Sequence, residues 1–411
     1  MKTKPFLISK DLVMKAFQLI KANAGAAGVD QQSVEDFEKN LKDNLYRLWN
    51  RLSSGSYFPP PVKAVSIPKK NKGARVLGVP TVNDRIAQMV VKLIFEPSVE
   101  PYFHKDSYGY RPNKSALDAI GTTRQRCWQY NFLVEYDIQG LFDNLDHTLL
   151  LKAVNKHTDN KWVILYITRW LKAPMQLQDG RLQERNKGVP QGGVISPCLS
   201  NLFLHYVFDK WMQRKFPAIL WCRYADDGLL HCKTEQQAQE LLEKLRKRFK
   251  ECGLELHPNK TKIVYCKDDN RKGNYPNTRF EFLGYDFRCR RVKNKDRELF
   301  LSFTPAVSKS AQVSMRAKIR KWKFYKRTDL NLNDIAKMAN PILRGWMEYY
   351  GRYNRSSLYS VFNHFNRTLA AWTRRKYEKL KGHKMRAITF LDKLSKREPH
   401  LFAHGSVIRN V

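Results

Sequence analysis

Residues 219–232 read Ile-Leu-Trp-Cys-Arg-Tyr-Ala-Asp-Asp-Gly-Leu-Leu-His-Cys. Within them Tyr224-Ala225-Asp226-Asp227-Gly228 separates two short apolar runs, residues 219–222 and Leu229-Leu230. The pattern predicts a strand, a tight turn and a returning strand. Asp-Asp-Gly is a good turn sequence in any protein, so alone it specifies only a hairpin. It also places two adjacent carboxylates on a rigid tip. Carboxylates so placed can hold divalent cations that activate an attacking hydroxyl and neutralise a departing pyrophosphate.

A third carboxylate lies 89 positions upstream. Asp137 closes the strand-like run Phe132-Leu133-Val134-Glu135-Tyr136 and opens Asp-Ile-Gln-Gly-Leu-Phe-Asp-Asn-Leu-Asp-His, residues 137–147. Adjacent strands of one sheet would bring Asp137 to Asp226, giving hard oxygen ligands for two Mg²⁺ ions. Asp143 and Asp146 compete for the ligand role, but their place just after a turn reads better as helix capping.

The chain has 411 residues, with 75 Lys and Arg against 38 Asp and Glu and a formal net charge of +37. Such an excess makes a polyanion the expected partner. Hydrophobic residues make up 42% and aromatics 12%, which excludes a disordered basic tail and supplies packed cores. The length implies two or three domains. No apolar run approaches a membrane span. The first 20 residues contain no signal-peptide core, so the protein is expected to stay where it is made. Seven Cys occur without a Cys-x-x-Cys pair, which reads as reduced thiols and no zinc site.

Residues 8–53 read as helices with a Gly-rich break at 25–30, ended by Pro59-Pro60-Pro61. Residues 62–79 read as strands around the basic turn Lys69-Lys70-Asn71-Lys72-Gly73. Ile86, Met89, Val90, Leu93 and Ile94 recur at helical spacing. From 132 to about 287, short strands alternate with helices, the mark of a mixed α/β region. After about Phe303 the pattern reads as all-helical. Met315, Ile319 and Trp322 form one stripe, and Leu358, Val361, Phe362, Phe365, Leu369 and Trp372 another. Residues 301–411 hold 24 Lys and Arg against 6 acidic residues, about half of the net excess in about a quarter of the chain. The stripes read as core. The charges between them suit a surface that grips a duplex or structured RNA.

Taken in order, these segments resemble reverse transcriptases of the bacterial group II intron-encoded type, over nearly the whole chain. Residues 132–147 resemble the first catalytic-Asp motif of that family. Gly188-Val189-Pro190-Gln191-Gly192-Gly193-Val194-Ile195-Ser196-Pro197 resembles its substrate-binding loop, and Tyr224-Ala225-Asp226-Asp227 its catalytic hairpin. Leu256-His257-Pro258-Asn259-Lys260-Thr261-Lys262 and Phe282-Leu283-Gly284-Tyr285 resemble the motifs that follow. Residues 339–350, including Arg344-Gly345-Trp346, and Trp372-Thr373-Arg374-Arg375-Lys376-Tyr377 resemble the intron maturase section. The ordered set is specific even though each motif alone is not.

The resemblance implies a fold of α/β plus all-α type, a right-hand polymerase of fingers and palm followed by a helical thumb and maturase domain. Its expected bounds are 1–300 for fingers and palm, 301–380 for the helical domain and 381–411 for a short basic DNA-binding-like tail. The family's nuclease domain, with its His and paired Cys, has no counterpart after Cys289, so a short form is expected. The implied reaction is attack by a primer 3′-hydroxyl on the α-phosphate of a deoxynucleoside triphosphate, templated by RNA. Asp137, Asp226 and Asp227 match the carboxylates that bind two Mg²⁺, with Mn²⁺ as a substitute. Asp227, beside Asp226, must point differently and tune the site more than bridge both ions. Lys69 and Arg75 match triphosphate-binding positions, Lys as a point charge and Arg as a bidentate fork. Lys70 and Lys72 read as solvated charges.

Phe142 matches the residue that excludes a ribose 2′-hydroxyl, with packed core as its other reading. Gln191 matches a contact to the incoming nucleotide, with glycines permitting close backbone approach. Lys260 matches a residue that could protonate the leaving pyrophosphate, or is structural. Arg111, in Tyr108-Gly109-Tyr110-Arg111-Pro112, contacts template or anchors the fingers. Arg344, Arg374 and Arg375 are the remaining expected RNA contacts. The implied partners are intron RNA, a template–primer duplex, target DNA and deoxynucleoside triphosphates, with no membrane. The implied setting is a ribonucleoprotein in the bacterial cytoplasm. Two other readings are an RNA-binding splicing factor with an idle polymerase, which the intact Asp137, Asp226 and Asp227 oppose, and a domesticated reverse transcriptase serving repair or defence.

Overall fold

The computed structural model describes residues 5–23, 25–68, 74–293 and 296–406. The chain forms two compact units: Met1–Ala119 with Val134–Lys262, and Ile120–Leu133 with Ile263–Val411.

The first unit opens with helices Lys10–Asn23, Val34–Lys39 and Leu41–Ser54. Ser33 and Asp36 cap the second reciprocally, and Gly55 closes the third in a left-handed conformation. Strands Val62–Pro68 and Ala74–Val79 pair antiparallel, with Ile67 opposite Arg75. They join the short strands Met175–Gln176 and Leu182–Gln183 in a four-stranded sheet. The expected basic turn between the first two strands, which holds Lys69, lies outside the described residues. Helix Val82–Val99 follows, capped by Thr81 and carrying the apolar stripe seen in the sequence.

A second sheet has the strand order Leu220–Tyr224, Asp227–Cys232, Phe132–Asp137, Lys262–Tyr265. Its strands read as apolar runs because side chains on both faces are covered, Leu229, Leu230, Leu133 and Val134 among them. Tyr224 pairs with Asp227, so the hairpin turn consists of Ala225 and Asp226 alone. Ala225 has φ 56°, as a tight hairpin demands at its first central residue. That conformation costs a non-glycine residue about 1–2 kcal/mol, so its surroundings must hold it.

They do so from two sides. Gly109 packs directly on the turn, where a Cβ would stand 2.5 Å from the Ala225 nitrogen. Gly228 leaves room for the Tyr136 ring, which a Cβ there would strike. Below the turn, Arg223 donates to both oxygens of Asp209 at 2.8 and 2.7 Å, both side chains being fully buried. The same guanidinium donates to Asn201 Oδ1 at 3.1 Å and to the Ala225 carbonyl at 3.4 Å. Asp209 ends a π-helical turn, His205–Asp209, set between helices Ser196–Leu204 and Lys210–Lys215. Such a bulge rotates the side chains that follow it, and here it presents Asp209 to Arg223.

The second unit holds an antiparallel sheet of Arg279–Phe282, Tyr285–Lys293 and Leu299–Val307. Helices Lys309–Trp322, Leu332–Tyr350, Tyr359–Lys376 and Lys384–Arg397 follow. Met315, Ile319, Val361, Phe362, Phe365, Leu369 and Trp372 share one core, so the two stripes are its packed faces. The 300/301 boundary expected from composition falls inside a strand. Phe303 and Thr304 pair with Cys289 and Arg288, and the first helix starts only at Lys309, capped by Ser308. The described part of the 381–411 segment is packed rather than separate. Phe390 lies 5.5 Å from the Tyr377 ring, and Leu391 packs on the core. Among the described residues, no helix is long and apolar enough to cross a membrane.

Candidate active site

Asp137 ends its strand beside the hairpin turn, where the Ile138 amide donates to the Asp226 carbonyl at 3.3 Å. A loop from the Lys260 region runs along the same strand end. The Gln139 amide donates to the Glu255 carbonyl, and the His257 amide to the Asp137 carbonyl, each at 2.8 Å. Pinned this way, the loop delivers Lys260 Nζ to Asp137 Oδ1 at 2.9 Å. Asp137 is 14% exposed and Lys260 55%, so the ammonium stands between a shielded carboxylate and open solvent.

The hairpin brings two more carboxylates to this point. Burial raises the pKa of Asp226, and the charge of Asp137 adds to it. Burial also holds Asp227 well above the usual carboxylate range, reinforced by the charges of Asp226 and Asp137 and by a hydrogen bond with Asp137. Three crowded carboxyl groups are only partly offset by Lys260 and Arg75, which leaves the shielded ones resisting ionisation until a cation arrives. Hard oxygens in that state fit Mg²⁺ or Mn²⁺. Among the described residues, no three His, Cys, Asp or Glu side chains stand ready-made as a metal cage. The remaining ligands would come from substrate phosphates and water, as Mg²⁺ sites of this kind require.

The cleft has a volume of about 1180 Å³, and its wall includes Asp137, Asp226, Lys260, Arg75, Phe142 and Gln191. Phe142 sits on a four-residue helix, Leu141–Asn144, entered through Gly140 in the left-handed conformation. It is half-buried and lines the cleft instead of filling the core, and Tyr110 meets its ring edge-on at 6.4 Å. The Gln191 carbonyl accepts from the Gly78 amide at 2.9 Å. Gly192, at φ 130°, permits this approach, since a Cβ there would stand 2.5 Å from the Gly78 oxygen. Gln191 Nε2 donates to Asp143 Oδ2 at 3.5 Å. Asp146 caps helix His147–Asn155 by accepting from the Leu149 amide, as the sequence implied. Asp143 is inside its short helix and faces Gln191 instead.

Of the two readings open for Arg111, its surroundings favour the anchor over the template contact. Only 6% of its side chain is exposed. It donates to Glu100 Oε1 at 2.6 Å and to the His104 and Ser107 carbonyls at 2.6 and 2.8 Å. In the second unit Arg344 and Arg375 are exposed and Arg374 is half-buried. Arg375 lies over the Tyr325 ring at 4.9 Å.

Two residues escaped the sequence reading. Tyr110 has φ 58° and is half-exposed beside Phe142. It stands inside the motif Tyr108-Gly109-Tyr110-Arg111-Pro112, where nothing in the local pattern sets it apart from Tyr108. Arg185 lines the cleft three residues before Gly188, and nothing in its local pattern marks it.

The chain belongs to the reverse transcriptase (RNA-dependent DNA polymerase) family, whose model matches residues 67–287, more than half of the chain. It is an RNA-directed DNA polymerase with the right-hand fold, and residues 312–388 match the group II intron maturase-specific domain. It is similar to Protein YkfC of Escherichia coli, with 32% identity over 61% of this chain and 75% of that protein. It is also similar to the group II intron-encoded protein LtrA of Lactococcus lactis, with 25% identity over 88% of this chain and 71% of that protein. A putative COX1/OXI3 intron 1 protein of Saccharomyces cerevisiae is 29% identical over 49% of this chain and 24% of its own length.

Proposed function

We propose that the chain copies RNA into DNA at the cleft below the Asp226 turn, with Asp137, Asp226 and Asp227 holding two divalent cations, Mg²⁺ or Mn²⁺. Bound there, the cations would lower the pKa of the primer hydroxyl and offset charge on the departing pyrophosphate. Arg75 receives the triphosphate from the wall of the cleft, and Lys69, which lies outside the described residues, is the second cation the family resemblance assigns to it. Phe142 lies against the sugar and leaves no partner or space for a 2′-hydroxyl. Gln191, fixed through its backbone to Gly78 and through its amide to Asp143, contacts the nucleotide. Lys260 gives a proton to pyrophosphate, and its link to Asp137 keeps the ammonium beside the reacting centre.

The maturase-specific domain and its exposed Lys318, Arg320, Lys321 and Lys323 support binding of an intron RNA, which the protein assists in splicing and mobility. Arg344, Arg374 and Arg375 join that contact, and target DNA is the further partner. A ribonucleoprotein in a bacterial cytoplasm is the setting this reading implies. The observation that carries it is the convergence of Asp137, Asp226 and Lys260 at one cleft end, with Asp227 hydrogen-bonded to Asp137 behind them.

Asp226→Asn tests it. Loss of one anionic oxygen ligand should abolish DNA synthesis on an RNA template, while binding to RNA, carried by phosphate contacts elsewhere, stays near normal. Primer extension beside an RNA-binding titration reads both, and near-normal extension would refute the metal assignment.

A further inference from the structure

Arg185 follows the strand Leu182–Gln183 and lines the catalytic cleft together with Arg75, Asp143 and Lys187. Its Nη1 and Nη2 are shielded from solvent and have no hydrogen-bond partner among the described residues. Two other shielded arginines of the same unit, Arg223 and Arg111, have their guanidinium groups engaged. Arg223 has both oxygens of Asp209, and Arg111 has Glu100 and two carbonyls. Asp143 attracts it electrostatically but does not hydrogen-bond those two nitrogens, and it is exposed and already accepts from Gln191.

A shielded guanidinium whose N–H donors are unsatisfied is unfavourable, and such groups persist where a ligand completes them. We infer that Arg185 is a phosphate-binding residue of the cleft, resting on the polymerase reading above. The guanidinium offers parallel N–H donors whose spacing matches two phosphate oxygens, and a full negative charge balances it better than a neutral base edge could. Its neighbours agree with an anionic ligand. Arg75 lies on the same wall, and Lys187 is exposed, with its ammonium near Asn144 Oδ1 at 2.9 Å. The phosphate belongs either to the incoming deoxynucleoside triphosphate or to the template backbone.

Arg185→Met removes the charge at similar volume, and Arg185→Lys keeps the charge but loses the fork. Both are made in the full chain and measured by thermal denaturation without ligand, by equilibrium binding of a deoxynucleoside triphosphate to the template–primer complex, and by template–primer binding across a salt series. Losing a charge-assisted pair should weaken the relevant ligand by about 10- to 100-fold. A nucleotide phosphate predicts weaker triphosphate binding with an unchanged salt slope. A template phosphate predicts weaker template–primer binding with the slope reduced by about one contact.

The thermal midpoint of Arg185→Met should equal or exceed that of the parent, because an unpaired buried charge has gone. Unchanged affinity for both ligands overturns the assignment whatever the midpoint does. If Arg185→Met is less stable, Arg185→Lys decides: weakened binding of either ligand upholds the site, and parental binding of both rejects it. These are equilibrium measurements. Failure of the polymerase reading would show instead as absent primer extension by the parent protein.

Discussion

Replacing Asp209 by Ala should unfold the polymerase unit at much lower temperature, although Asp209 touches no substrate. Arg223 and Asp209 are fully buried and joined at 2.8 and 2.7 Å. His205 Nδ1 also faces Asp209 Oδ2, at 3.9 Å. Without the carboxylate, the guanidinium keeps only Asn201 Oδ1 at 3.1 Å and the Ala225 carbonyl at 3.4 Å. Stranding one partner of a buried pair costs about 3–5 kcal/mol. At about 2–4 °C per kcal/mol for a unit of this size, the midpoint should fall by about 6–20 °C. Asp209→Leu combined with Arg223→Met should recover most of the loss, since no charge is then stranded. Urea unfolding of the parent, Asp209→Leu, Arg223→Met and the double variant gives the coupling directly. Primer extension should follow, because Arg223 also steadies the turn that carries Asp226. A loss below about 1 kcal/mol for Asp209→Ala, or a double variant no better than the sum of its parts, would refute the reasoning.

Phe142→Ala should raise ribonucleotide relative to deoxyribonucleotide incorporation by roughly 10- to 100-fold, read as the ratio of kcat/KM values, and an unchanged ratio would assign sugar selection elsewhere. Lys260→Arg keeps an ion pair to Asp137 but is a poor proton donor, so kcat should fall by about 10²-fold with little change in KM, whereas full activity would leave Lys260 a purely electrostatic role. Changing Lys318, Arg320, Lys321 and Lys323 together to Gln should lower the slope of log affinity for RNA against log salt by about 3, and equal slopes would mean that these charges are merely solvated.

The hairpin at Asp226-Asp227 was legible because its cause is local. Apolar runs on both sides of Asp226-Asp227 fix a two-residue turn between buried strands, and the strand before Asp137 follows the same rule. The helical stripes at Met315 and Ile319 and at Val361 to Trp372 were equally plain, because helical spacing gathers them on single faces. The strand through Phe303 was partly misjudged. Its pairing partner is a segment ending at Lys293, and composition after 303 is dominated by the helices beyond it.

Roles that depend on distant neighbours were not legible. Arg111 looked available for nucleic acid until Glu100 and two carbonyls took up its donors. Phe142 could have been core, and only its place on the cleft wall made it available to a substrate. Arg185 carried no local mark at all. Asp209 reaches Arg223 through a π-helical turn that no simple period predicts. By itself, the sequence determined the chemistry the chain carries: three carboxylates, a basic excess and the order of motifs that makes it a reverse transcriptase with a maturase domain. The tertiary structure decided which charges meet and which are shielded, as when Lys260 closes on Asp137 across 123 positions. The physical reason is that secondary structure follows from neighbours a few residues away, while burial and pairing depend on which remote segments the fold brings together.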